Sequence, residues 1–214
     1  PELEVMYAGN YAVVPYVVPG KYVAYAFSYT GGALIQWCVD TLAKKEKEVA
    51  AEQGISVNEL LEEEYRKLYP SGHPTSDALR ASEPSGFVNV YKEECPTGML
   101  VLPHFAGAAT PYMDTGSKGV MVGLTAGTSV CEIYRACMEG VVYEMMLNME
   151  YLKDSGVHFD MLQATGGGAR SKVWMQMKAD ALGLPITALR TVDAGTVGSA
   201  MLTGIAVGCF ADLE

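Results

Sequence analysis

Residues 160–183 read Asp-Met-Leu-Gln-Ala-Thr-Gly-Gly-Gly-Ala-Arg-Ser-Lys-Val-Trp-Met-Gln-Met-Lys-Ala-Asp-Ala-Leu-Gly. The stretch is a short apolar strand, a three-glycine turn and a helix opened by Ser171. Three successive glycines let a backbone approach a flat or anionic ligand with no Cβ in the way. The helix start that follows offers amide N–H groups and the positive end of a dipole. Such a turn is a candidate nucleotide seat. A tight strand-to-helix turn with no ligand is the other reading of the same residues.

Working outward, the chain after this turn alternates. A strand at Met161–Ala164 leads through the glycines to a helix at Ser171–Leu182, then a strand at Ile186–Leu189 and a helix at Ala194–Val207. Gly198 and Gly204 on the last helix suggest close packing against a neighbour. Upstream, Gly127-Thr128-Ser129 precedes a long helix to about residue 153, with Ser129 and Glu132 forming a capping box. Val130, Tyr134, Cys137, Val141, Met145 and Leu152 follow helical spacing there, and the methionines read as core packing. Met99–Pro103 reads as a buried strand, and residues 104–119 as a polar, glycine-containing loop.

The first third opens with strand-like runs at Leu3–Ala8, Tyr11–Val18 and Lys21–Ser28, separated by the turn dipeptides Gly9-Asn10 and Pro19-Gly20. They predict an antiparallel meander. A helix is predicted over Ala33–Val49, with Leu34, Trp37, Cys38, Thr41 and Leu42 on one face. A second, capped by Ser56 with Glu59, runs to about Leu68. Residues 70–98 are irregular and read as an excursion within one domain. An antiparallel lead-in followed by β-α-β-α alternation predicts an α/β domain with a mixed sheet.

Of the 214 residues half are hydrophobic, so a substantial core is available. Lys and Arg number 15 against 25 Asp and Glu, a net charge of −10. That balance argues against nucleic acid and anionic membrane surfaces as partners. It leaves phosphate ligands open, because helix-start amides bind them without basic side chains. The five cysteines show no C-x-x-C pair and are read as reduced core residues of a cytoplasmic protein. No signal peptide or membrane-length apolar run is visible. An opening at Pro1 that moves straight into strand-like sequence is how a fragment of a larger protein would begin.

Four stretches, in this order, carry a resemblance. Gly31-Gly-Ala-Leu-Ile-Gln-Trp37 is a glycine-to-helix segment. Leu102-Pro-His-Phe-Ala-Gly-Ala-Ala-Thr-Pro-Tyr-Met-Asp114 has the form LP-x-x-x-G-x-x-x-P-x-x-D. Gly119-Val-Met-Val-Gly-Leu124 is followed after seven residues by Glu132-Ile-Tyr-Arg-Ala-Cys-Met-Glu139. Gly166–Asp180 has the form GGGA, Lys or Arg, S-x-x-W-x-Q-x-x-A-D. Together they resemble the C-terminal domain of the FGGY family of carbohydrate kinases, of the actin/Hsp70/hexokinase ATPase superfamily, and cover nearly the whole chain. The Leu102–Asp114 loop looks closest to xylulose-kinase-like members, although Ala108-Ala109 stands where those often have Glu-Arg.

The resemblance implies a ribonuclease-H-like, three-layer fold, with residues 1–214 forming the nucleotide-side domain of an ATP- and Mg²⁺-dependent sugar kinase. Xylulose or a related ketopentose is the first substrate expectation. The resemblance places the catalytic Asp and the phosphate hairpin in an N-terminal domain upstream, so these residues alone would be inactive. A homodimer fits the family. Carried over by position, Gly32 would sit at the phosphate end, with Gln36 one turn along facing the nucleotide. Gly167 and Gly168 would contact the adenosine and phosphate region, and Lys172 would flank adenine. An ordinary helix start with a solvated Gln36, and a surface role for Lys172, are the plain alternatives. Trp174, Gln176 and Asp180 are read as packing and capping residues. No catalytic or metal-ligating residue is assigned within the chain. A rival reading of the whole is a nucleotide-binding or assembly module that does no chemistry.

Overall fold

A computed structural model describes residues 12–18, 20–69, 97–189 and 193–212. The chain divides into two compact units, Pro1–His158 and Phe159–Glu214. The expected strand at Leu3–Ala8 and most of the irregular stretch 70–98 lie outside the described residues.

In the first unit, β1 (Ala12–Pro15) pairs antiparallel with β2 (Tyr22–Tyr25), Ala12 opposite Tyr25 and Pro15 opposite Tyr22. The turn closes where the Tyr16 amide donates to the Lys21 carbonyl at 2.9 Å. The single helix expected over Ala33–Val49 is two: α1 (Gly32–Thr41) and α2 (Lys44–Gln53). They break at Ala43, a fully buried residue at φ −98°, ψ 39° that turns the polar Lys-Glu helix away from the apolar one. Helix α1 buries Leu34, Ile35, Cys38 and Val39. Trp37, expected on that face, is 37% exposed and packs on Phe105 at 4.7 Å between ring centroids.

Helix α3 (Val57–Leu68) begins at the expected capping box. The Ser56 amide and hydroxyl donate to Glu59 at 2.9 and 2.8 Å, which holds that carboxyl below its ordinary range. Strands β3 (Leu100–Leu102) and β4 (Val120–Val122) pair antiparallel, Leu100 opposite Val122. The strand predicted as buried is half-buried, since only Val101 faces inward while Leu100 and Leu102 are exposed.

The organising element is α4 (Val130–Asp154), where every residue from Tyr134 to Val142 is buried. A helix buried all round must have partners on all sides. Helix α1 supplies Cys38, hydrogen-bonded to Cys137. Helix α3 supplies Asn58, which accepts from the Tyr134 hydroxyl at 3.2 Å, and Tyr65, whose ring lies 5.2 Å from the Arg135 guanidinium. Strand β3 lies so close that a Cβ on Gly140 would sit 2.3 Å from the Val101 carbonyl oxygen.

Cys38, Cys131 and Cys137 are buried free thiols as expected, whereas Cys209 is exposed and Cys95 lies outside the described residues. Among the described residues no helix is long and apolar enough to cross a membrane.

In the second unit, β5 (Leu162–Ala164) leads through a 3₁₀ turn at Gly167–Arg170 into α5 (Lys172–Leu182), then β6 (Ile186–Ala188) and α6 (Ala194–Ala206). Strands β5 and β6 are parallel, Leu162 opposite Ile186, so β5, α5 and β6 form the expected β-α-β crossover. On α6, Gly204 is close-packed against the chain's own Phe210, where a Cβ would meet the ring at 2.3 Å. Among the described residues, Gly198 has no atom within 4 Å of that position.

Because backbone opposes the Cβ position of Gly140, Gly140→Ala should lower stability by about 3 kcal/mol, read by denaturant unfolding. Ala at the open Gly32 serves as the control.

Candidate functional site

The glycine turn of the second unit is shaped by backbone conformation first. Gly166 adopts φ +84°, ψ −171°, a region open in practice to glycine alone. Its carbonyl accepts from the Ala169 amide at 3.2 Å, which winds the 3₁₀ turn. Ser171 then caps α5, its hydroxyl accepting from the Trp174 amide at 3.0 Å. The expected cap is therefore in place, and the helix proper begins at Lys172.

The three glycines have different surroundings. A Cβ on Gly166 or Gly167 would meet nothing within 4 Å, and both are exposed. A Cβ on Gly168 would sit 2.9 Å from the Trp174 ring. Gly168 thus has a packing reason to be glycine, while Gly167 presents open backbone. Lys172 is exposed on the first turn of α5. Trp174 is buried, as its packing role required. Gln176 donates to Asp180 at 2.7 Å along the exposed side of α5, so this pair supports the helix without capping it.

Sequence reasoning missed Lys178. Its ammonium lies 4.2 Å from the centre of the Trp174 ring and 3.6 Å from the Cβ position of Gly168. Burial pushes its pKa down. The signal was present as an aromatic-to-lysine spacing of four residues from Trp174, which puts both on one helix face.

In the first unit, Gly31 and Gly32 open α1 with no side-chain cap, and a Cβ on either would meet nothing within 4 Å. Gln36 is exposed one turn along, on the same side as Gly32. Its amide donates to Asp40 at 2.9 Å, and Asp40 also accepts from Lys47 on α2. These donors, Lys47 foremost, hold the Asp40 carboxyl below its ordinary range. Gln36 is therefore held in an exposed polar trio with Asp40 and Lys47.

The Leu102–Asp114 loop is folded on itself. The Ala108 amide donates to the Asp114 carbonyl at 2.8 Å and the Met113 amide to that of Ala109 at 2.7 Å. Gly107, at φ +96°, passes within 2.9 Å of the Thr115 Cα measured from its Cβ position. Ala108 and Ala109 are fully buried, so the positions that carry Glu-Arg in the resembled kinases face inward in this chain.

The stretch Glu132–Glu139 builds α4 throughout. Glu132 receives the Ser129 amide at 2.8 Å and the Tyr69 hydroxyl at 2.5 Å, which pushes the Tyr69 pKa up to about 12. Glu139 receives the Thr97 amide at 3.0 Å, the Thr97 hydroxyl at 2.8 Å and Arg135 at 3.3 Å. Burial nevertheless pushes its carboxyl up, against the pull of Arg135.

The second unit thus presents an open glycine turn at a helix start on a β-α-β frame. Solved structures give the fold. The xylulose kinase from Rhodospirillum rubrum superposes with TM-score 0.65 at 26% identity, covering 96% of this chain and 34% of that one. The ligand-bound xylulose kinase from Lactobacillus acidophilus gives TM-score 0.65 at 20% identity, covering 95% and 34%. The chain has their ribonuclease-H-like fold, of the actin/Hsp70/hexokinase type.

The profile of the FGGY family of carbohydrate kinases, C-terminal domain, matches residues 6–207, and the chain belongs to that family. The glycerol kinase of Deinococcus radiodurans is 38% identical over 112 residues, covering 52% of this chain and 22% of that protein. Glycerol kinase 2 of Saccharolobus solfataricus is 32% identical over 141 residues, covering 64% and 28%. The chain spans about a quarter of the length of these curated relatives.

Gly166→Ala should cost about 1–3 kcal/mol through backbone strain alone, whereas Gly167→Ala should stay within about 0.5 kcal/mol of the parent. Chemical denaturation of the two variants separates conformational need from open space.

Proposed function

We propose that this chain is the nucleotide-side domain of an ATP-dependent kinase that phosphorylates a hydroxyl of a sugar or polyol. The observation that carries the reading is the pair of glycine steps whose Cβ positions are empty, Gly31-Gly32 before α1 and Gly166-Gly167 before α5. Each leaves backbone accessible at a helix start, which is what phosphate oxygens and a flat base require. Membership of a family of carbohydrate kinases supports a nucleotide as that ligand. ATP supplies the transferable phosphoryl group when bound. The proposed contacts are Gly32, the Gln36 carbonyl, Gly167 and Lys172. Gly168 supports the turn by receiving Trp174, and Lys178 adds positive charge beside it.

Among the described residues no group of three His, Cys, Asp or Glu side chains could hold a metal ion. Mg²⁺ is proposed to travel with the nucleotide phosphates. The proton acceptor for the sugar hydroxyl is proposed to come from the N-terminal domain of the kinase, as is most of the sugar pocket. Domain closure would exclude water as a competing acceptor. The cytoplasm is the proposed compartment, in keeping with the free buried thiols.

For the acceptor, the Leu102–Asp114 loop and the xylulose-kinase structures support a ketopentose. A second acceptor, glycerol, is supported by the glycerol kinases found by sequence. A coupled ADP-release assay on the intact protein with xylulose, glycerol, rhamnulose, fuculose and gluconate tests the reading, and ATP-dependent turnover with none of them would overturn it.

Gly167→Val should raise KM for ATP by about tenfold, near 1.4 kcal/mol, with little change in melting temperature, because the new side chain enters open space. Gly168→Val should instead lower the melting temperature by displacing Trp174. Equal effects of the two on KM and on stability would put the nucleotide elsewhere.

A further inference from the structure

Beneath the loop 104–119 lies a buried polar group that the nucleotide reading does not use. His104 opens the loop and Ser117 nears its end, with His104 Nδ1 2.8 Å from Ser117 Oγ. On the other side of the ring, His104 Nε2 lies 3.5 Å from Glu144 Oε1 on α4. The Ser28 hydroxyl, just beyond β2, also bonds Glu144. Asn148 follows one helical turn after Glu144, so the two side chains share a face of α4. His104, Glu144 and Asn148 are each more than nine-tenths buried. Two acceptor atoms in this group, Glu144 Oε2 and Asn148 Oδ1, have no hydrogen-bond partner among the described residues.

Two orphaned acceptors one turn apart make a specific demand. An unmet buried acceptor costs about 1–3 kcal/mol, more where it carries charge. An ionised Glu144 would leave both unmet. A single proton on Glu144 Oε2 would offer each a partner, since the i, i+4 spacing sets Asn148 on the same face of α4.

We propose that Glu144 is a neutral carboxylic acid at the centre of a buried donor chain, in which the Ser117 hydroxyl donates to His104 Nδ1, His104 Nε2–H donates to Glu144 Oε1, and Glu144 Oε2–H donates to Asn148 Oδ1. The chain ties both ends of loop 104–119 to α4 without burying a charge, and it makes the tie sensitive to pH. Burial pushes the Glu144 carboxyl up, which agrees with the assignment, while Ser28 and His104 pull the other way. Among the described residues, His104 is the titratable side chain that acts on Glu144, and the edge of the Tyr112 ring faces His104 at 6.3 Å. With a folded-state pKa above the unfolded one, the stabilisation is complete below the ordinary carboxyl range. It is lost as pH rises through the raised value.

The test uses Glu144→Gln, whose amide supplies one acceptor and one donor in the same places. In the intact protein, E144Q should melt within about 2 °C of the parent near pH 6 and flatten the decline in stability between about pH 5 and pH 8. E144A should melt about 5–10 °C lower. A loss in E144Q as large as in E144A would show that the site needs the carboxylate charge, and would overturn the proposal. Long-range ¹H–¹⁵N spectra of the parent give an answer that does not depend on a variant folding. His104 is assigned by the signal lost in His104→Gln, and its proton should reside on Nε2. A proton on Nδ1 alone would break the chain. A rise in parent melting temperature with added K⁺, lost in Asn148→Leu, would place a cation on the two acceptors and likewise overturn it.

Discussion

The bare Cα of Gly140 against the carbonyl of Val101 is the contact on which the first unit depends. A helix buried from Tyr134 to Val142 has no solvent face, so each side must be filled by a different element. Strand β3 is the hardest to place, because its backbone meets the helix directly. Any side chain at position 140 would hold the two apart. Once β3 is in contact, Val101 enters the core, the Thr97 amide reaches Glu139, and β4 pairs on the outer side. On the remaining faces, α1 packs through Cys38 and Cys137, two small apolar side chains, and α3 through the Tyr65 ring and Asn58. Close approach on one side and small residues on another are how one helix can serve several neighbours at native packing density.

The second unit solves a smaller problem by other means. A parallel strand pair needs a crossover, and here α5 is the crossover. The chain must reverse between β5 and α5 within a few residues. Gly166 allows the reversal by its backbone angles, and Gly168 allows α5 to settle with Trp174 beneath the turn. Those two glycines belong to folding. Gly167, between them, has neither reason, since its Cβ position is open among the described residues. A motif that reads as three equivalent glycines thus separates into two structural residues and one exposed step.

Much of this was legible in the sequence where local chemistry decides. Capping boxes at Ser56–Glu59 and Ser129–Glu132 fixed two helix starts, since side chain and backbone satisfy each other within four residues. The β-α-β alternation was readable because strand and helix periods differ. What was illegible depends on contacts far apart in the chain. The break at Ala43 comes from burial of a small residue, with no glycine or proline to announce it. Trp37 left the core face because Phe105, far along the chain, offers it an aromatic partner at the surface. The alternating burial of β3 follows from its single inward residue, which no three-residue window can show. For the site, open backbone at Gly32 and Gly167 was foreseeable from glycine at a helix start. The approach of Lys178 to Gly168 required the ring of Trp174 to be in place first.

The same geometry bears on what kind of work the chain can do. Its acidic balance invites a search for a proton acceptor, yet seven of the described carboxylates are engaged in holding structure. Asp40 receives Gln36 and Lys47, Glu59 and Glu132 close capping boxes, and Glu139 receives Thr97 and Arg135. Asp114 receives the Gly116 amide, Asp180 receives Gln176, and Asp193 caps α6 through the Thr196 amide. The donors on Asp40, Glu59 and Asp193 hold those carboxyls below their ordinary range, which makes them poor partners for a transient proton. Glu144 is the contrasting case, buried with an oxygen left over, and it faces a loop anchor and not an open glycine step. What the chain extends outward at Gly32 and Gly167 is backbone. Backbone amides bind and orient charged oxygens without exchanging protons with them.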